Sequence, residues 1–208
     1  MLQCLLFLCF IGIIIFLLIF LTKDSYNTQN QGTTPERGRS ENFKGLCLFD
    51  IDGTLTTGHD NSKSVDICLK NGWAVGISTA GAMYKPENLL SFSWMPPNLF
   101  EFMKKYNWVT FNNVAAGIYA GKYKNQPNLD HMGHKKWGIL KGYSLLDSAK
   151  YLNLEKGKEK LILFDNDPLF LQGLSYQKDL IGICAGYPCS KQNVLNPNLV
   201  NKVITKDN

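Results

Sequence analysis

One stretch of this 208-residue chain constrains its fold more than any other: Leu46-Cys47-Leu48-Phe49-Asp50-Ile51-Asp52-Gly53-Thr54-Leu55-Thr56. A short apolar run reads as a strand and ends abruptly in two carboxylates, a glycine and a threonine. Two buried acids side by side are costly unless a cation or strong hydrogen bonds compensate them, so the pair itself points to a metal. A calcium loop does not fit. Counted from Asp50, Thr54 falls at the fifth position and Leu55 at the sixth, where an EF-hand needs an acid or amide and then a glycine.

Short apolar runs then alternate with helix-like stretches. Leu46 to Phe49 is followed by Ser64 to Lys70, closed by Asn71-Gly72, and by Trp73 to Ser78. Later come helix-like segments from Asn98 to Tyr106 and from about Gly142 to Leu152, the run Leu161 to Phe164, and Leu180 to Cys184. This alternation predicts an α/β fold of βαβ units on a parallel sheet, with the site outside the carboxyl ends of the strands. No internal repeat is present.

The amino-terminal stretch must be set apart first. From Leu2 to Leu21 the chain carries no charge, and only Gln3, Cys4, Cys9 and Gly12 interrupt Leu, Ile and Phe. That length spans a bilayer core. A cleaved signal peptide would show a basic leader and a small-residue cleavage site, and neither is found. The expectation is a transmembrane anchor over 1–22 and a flexible linker over 23–42, rich in Asn, Gln, Thr, Gly and Ser. A folded body over 43–208 follows, long enough to bury a single core. Lys23, Arg37 and Arg39 lie on the carboxyl side of the anchor, and the positive-inside rule then puts the body in the cytosol. Cys47, Cys68, Cys184 and Cys189 show no zinc spacing and read as reduced structural thiols of a reducing compartment. The net charge of +5 is spread over separate lysines, a solvated surface without a clear nucleic-acid site.

The run Asp50 to Thr56 resembles the first motif of the haloacid dehalogenase-like (HAD) superfamily: an aspartate, any residue, an aspartate, then Gly-Thr-Leu or Gly-Thr-Val. The resemblance implies that Asp50 attacks phosphorus to form an aspartyl-phosphate. It also implies that Asp52 protonates the leaving oxygen and later deprotonates the attacking water. A hydroxyl ending the next strand, Ser78 or Thr79, would bind a phosphoryl oxygen. Leu161-Ile162-Leu163-Phe164-Asp165-Asn166-Asp167-Pro168 is similar to the fourth motif. It implies an oxygen-only Mg²⁺ site from Asp50, the Asp52 carbonyl, and Asp165 or Asn166. The Asp-Asn pair before a proline resembles phosphatases of the polymerase carboxy-terminal domain. Lys141, with Lys135 and Lys136 as alternatives, would be the lysine at the start of the helix before that strand, offsetting the carboxylates and the phosphoryl charge.

The resemblance as a whole implies a three-layer, Rossmann-like core with a small cap or none, acting on a phosphorylated substrate as a phosphomonoester hydrolase. The alternatives are phosphotransfer to another acceptor and a non-catalytic, membrane-tethered binding module. Asp52, the acid that a phosphatase needs for its leaving group, argues against dehalogenation. His131 and His134 have no third ligand nearby in sequence, and Tyr119 and Tyr123 read as packing or loop aromatics.

Overall fold

Among the described residues, every strand of the sheet runs parallel to its neighbours. The computed structural model describes residues 42–118 and 129–206, within one compact unit over Ser40–Asn208. The anchor expected at 1–22, the linker up to residue 41, and Tyr119 and Tyr123 lie outside the described residues. Among those that are described, no helix is long and apolar enough to cross a membrane.

The elements, in chain order, are β1 (Gly45–Phe49), α1 (Asn61–Lys70), β2 (Ala74–Thr79), α2 (Pro97–Lys105) and β3 (Phe111–Asn113). They continue with α3 (Lys135–Tyr151), β4 (Lys160–Asp165), α4 (Pro168–Leu174), β5 (Leu180–Cys184) and α5 (Pro197–Thr205). The sheet order is β3-β2-β1-β4-β5. All residues of β1 and β2 are buried, as expected of a sheet covered on both faces. Phe49 and Phe164 stack across the β1–β4 pair with ring centroids 5.1 Å apart.

Chain direction across the sheet reverses after β3. From β1 to β3 the chain winds towards one edge, and from β4 to β5 towards the other. Right-handed crossovers then place α1 and α2 on one face and α3 and α4 on the opposite one. The packing agrees: α1 contacts α2 and α5, whereas α3 contacts α4. The crevice at this reversal lies between the ends of β1 and β4, where ligands bind in open α/β sheets.

Two expectations need correction. The helix predicted from about Gly142 starts at Lys135, so Lys141 stands within α3 rather than at its start. Gly138 and Gly142 lie inside this helix as packing positions. A β-carbon on Gly138 would come within 2.7 Å of the Phe170 carbonyl carbon, and one on Gly142 within 2.7 Å of the Gln177 side chain. The second correction concerns the cysteines. Cys184 and Cys189 form a disulfide, because the chain folds back after β5 and brings their Cα atoms to 5.7 Å, while Cys47 and Cys68 are free and buried. With that bond formed, the cysteines no longer argue for a reducing compartment.

Candidate active site

At the reversal point, Asp50 follows β1 and Asp165 ends β4; the Asp50 amide donates to the Phe164 carbonyl at 2.9 Å, tying the two strand ends together. Beyond Asp50 the chain makes a wide turn over Ile51–Leu55, non-helical at Asp52 and Gly53, in which the Thr56 amide donates to the Ile51 carbonyl. Gly53 is needed there for two reasons. Its φ is 79°, a left-handed value that side chains disfavour, and a β-carbon would run into the Asn166 side chain.

Lys141 reaches the crevice from α3. Its Nζ lies 2.7 Å from Asp50 Oδ1 and 2.6 Å from Asp165 Oδ2, it has no exposed side-chain surface, and it stands 4.7 Å from the Phe170 ring centroid. Burial alone would push the Lys141 ammonium down, but the Asp165 and Asp50 carboxylates more than offset it and hold the pKa above its ordinary value. Burial pushes Asp50 up to about 7, against the pull of Lys141, and the charges of Asp165 and Asp52 add to the rise. One cation thus serves two buried carboxylates. Lys135 and Lys136, the other candidates, stand at the start of α3, where Lys136 pairs with Asp130 at 3.1 Å.

Asp50, Asp52, Ala80, Gly81, Asn166, Asp167 and Phe170 line a cleft of about 280 Å³. The two candidates of the fourth motif separate by their bonds. Asp165 is fully buried and both its oxygens are engaged, Oδ2 by Lys141 and Oδ1 by the Asp167 amide at 2.8 Å. Asn166 instead lines the cleft, and its Nδ2 donates to the Tyr187 carbonyl at 2.7 Å, which leaves the amide oxygen as the donor for a cation. The Ser78 hydroxyl faces Ser144 of α3 at 3.3 Å, inside the helix–sheet packing. Thr79 Oγ1 accepts from the Gly81 amide at 3.1 Å, in the turn that forms the cleft wall.

Among the described residues no three His, Cys, Asp or Glu side chains converge on a metal position, His131 and His134 included. At the cleft the reason is local: Lys141 occupies Asp165, Asp167 is engaged in capping the helix that follows it, and the remaining groups are the Asp50 and Asp52 carboxylates, the Asn166 amide and backbone carbonyls. Such an oxygen-only set of few protein ligands suits magnesium, which keeps several of its waters. Asp50, Asn166 and the Asp52 carbonyl are the groups that would hold it.

Sequence reasoning passed over three residues. Asp167 lines the cleft and caps α4, its Oδ1 accepting from the Leu169 amide at 2.7 Å and the Phe170 amide at 3.3 Å; the Asp-Pro step before an apolar run was the signal for that cap. Tyr84 donates to Asp52 Oδ1 at 2.5 Å, and Asn113 Nδ2 donates to the Gly81 and Tyr84 carbonyls at 2.6 and 2.9 Å. No local pattern marks Tyr84 or Asn113; only the sheet order brings them to the site. Comparison of the chain with protein-family models, curated proteins and solved structures finds no match.

Proposed function

We propose that this chain is a magnesium-dependent phosphomonoester hydrolase of the HAD type, acting through an aspartyl-phosphate on Asp50. One observation carries the reading: Lys141 bridges Asp50 and Asp165 at the reversal of the sheet, with Asp52 two residues beyond Asp50 on the same cleft. The order of the strands and the absence of any element except α2, β3 and short turns among the described residues between β2 and α3 support a core with little or no cap.

In the first half-reaction an Asp50 carboxylate oxygen bonds to phosphorus, the bond from phosphorus to the ester oxygen breaks, and Asp52 gives its proton to that oxygen, releasing an alcohol. In the second half a water oxygen bonds to phosphorus while Asp52 takes the water's proton. The bond from phosphorus to Asp50 breaks, and inorganic phosphate leaves with both aspartates restored. Lys141 holds Asp50 in place and supplies positive charge beside the phosphoryl group. The Thr79 hydroxyl, in the turn beside the cleft, would donate to one of its oxygens. Bound magnesium would supply further charge neutralisation at the phosphoryl group. The run Leu2 to Leu21 would tether this activity to a membrane; the positive-inside rule favours the cytosolic side for the body, and the Cys184–Cys189 disulfide favours an oxidising one.

The test is hydrolysis of p-nitrophenyl phosphate by the full chain, with magnesium and with chelator, comparing wild type with Asp50→Asn. Magnesium-dependent turnover that vanishes in the variant supports the reading. If both proteins bind magnesium and both are inert, hydrolysis gives way to transfer to a specific acceptor or to a binding role.

A further inference from the structure

The acid–base aspartate has a fixed partner outside the four motifs. Asp52 is an exposed carboxyl, free to spread over several rotamers, yet Tyr84 Oη bonds its Oδ1 at 2.5 Å. Tyr84 itself is nearly fully buried, at 4% exposure. Its ring meets Phe92 edge-on at 5.3 Å and Trp94 at 5.7 Å, and Phe92 and Trp94 stack on each other. Its backbone is held at the end of β3, where Asn113 Nδ2 bonds the carbonyls of Gly81 and Tyr84. Gly81 keeps space for both partners. A β-carbon there would lie 2.7 Å from Asp52 Oδ2 and 2.6 Å from the Tyr84 ring.

We propose that Tyr84 is a positioning residue that fixes Asp52 by its Oδ1 and presents Oδ2, over Gly81, for proton transfer. The inference rests on the hydrolase reading, since it assigns a duty to the acid of that reaction. Tyr84 is suited to the task because its ring is packed against Phe92 and Trp94 and its backbone is tied to Asn113, so its hydroxyl is held in place as the donor to Asp52 Oδ1. The benefit is geometric: misplacement of a reacting group by about 1 Å costs on the order of 10²-fold in rate.

The experiment compares kcat/KM of wild type and Tyr84→Phe on p-nitrophenyl phosphate and on ethyl phosphate, with magnesium present. The nitrophenolate leaves without protonation, whereas ethoxide needs the Asp52 proton, and kcat/KM reports only steps up to the phosphoenzyme. The expected result is a loss of about 10- to 100-fold on ethyl phosphate and under about threefold on the aryl ester, with the melting temperature little changed. Asp52→Asn combined with Tyr84→Phe should be no slower than Asp52→Asn alone. Equal losses on both esters, no loss on either, or additive losses in the double variant would overturn the proposal. A wild type inert on both esters would instead remove the hydrolase reading, and this proposal with it.

Discussion

Replacing Lys141 by Met deletes the one cation between two buried carboxylates and keeps most of the side-chain volume. In the native protein the ammonium has no exposed surface and bonds Asp50 at 2.7 Å and Asp165 at 2.6 Å. Breaking a buried ion pair by removing one partner costs about 3–5 kcal/mol, because the charge left behind is neither solvated nor paired. In a domain of this size each kcal/mol moves the melting temperature by about 2–4 °C, so the loss corresponds to about 6–20 °C. The pH dependence has a definite sign. Without the pull of Lys141, Asp50, already raised by burial, binds its proton more tightly still, so stability falls as pH rises through the interval above its unfolded pKa of about 4. The deficit is therefore larger at pH 8 than at pH 5. Urea unfolding of wild type and Lys141→Met, without metal at both pH values, measures it, and adding Asp165→Asn should restore part of the loss at pH 8. A deficit under about 1 kcal/mol at pH 8, or one that does not change with pH, would refute the view that Lys141 neutralises this pair.

Three further outcomes are expected. Because burial raises Asp50 to about 7, the metal-free wild type should lose stability as pH climbs from 4 to 7, by up to about 4 kcal/mol; Asp50→Asn should flatten that slope in urea unfolding at pH 4.5 and 8. Asn166→Asp adds a negative charge at the cleft and should lower the magnesium Kd measured by calorimetry, while Asn166→Ala should raise it about tenfold or more. The loop closed by Cys184–Cys189 accepts from Asn166 Nδ2 through the Tyr187 carbonyl and donates to the Asn166 carbonyl through the Cys189 amide. Replacing both cysteines by serine should therefore weaken magnesium binding several-fold, read by the same calorimetry with and without reductant.

How far the sequence reached depended on whether a feature was local. The strand ending at Asp50 was legible because apolar run, acids and Gly53 are consecutive, and the same holds for the strand before Asn166. The order of the strands was not, since pairing between residues such as Phe49 and Phe164 leaves no trace in either segment. The start of α3 was hidden by Gly138 and Gly142, whose missing side chains are dictated by α4 and Gln177 and not by any local turn. α4 and β3 are short, and their helical or strand period is too brief to read alone. Tyr84 and Asn113 act on Asp52 through a chain of contacts that begins at β3, beside β2, and no spacing in the sequence encodes it.

The charges of the cleft bear on why a divalent ion belongs to the proposed reaction. With Lys141 charged, Asp50 and Asp165 when ionised leave a net charge of about −1 in a buried setting, and the carboxylates of Asp52 and Asp167 also line the cleft. A phosphomonoester dianion entering such a cleft meets repulsion that a single lysine, already shared by two acids, does not cancel. The elevated Asp50 pKa is the same imbalance felt by a proton: lacking positive charge, the site recruits H⁺ at neutral pH, and a protonated Asp50 is no nucleophile. A divalent cation at Asp50, Asn166 and the Asp52 carbonyl would relieve both difficulties at once, since it attracts the dianion and displaces the proton. Metal binding should therefore release protons near pH 7, and calorimetry in buffers of different ionisation enthalpy reads that release directly. Magnesium binding with no proton release would separate the two effects and leave the charge argument without its central link.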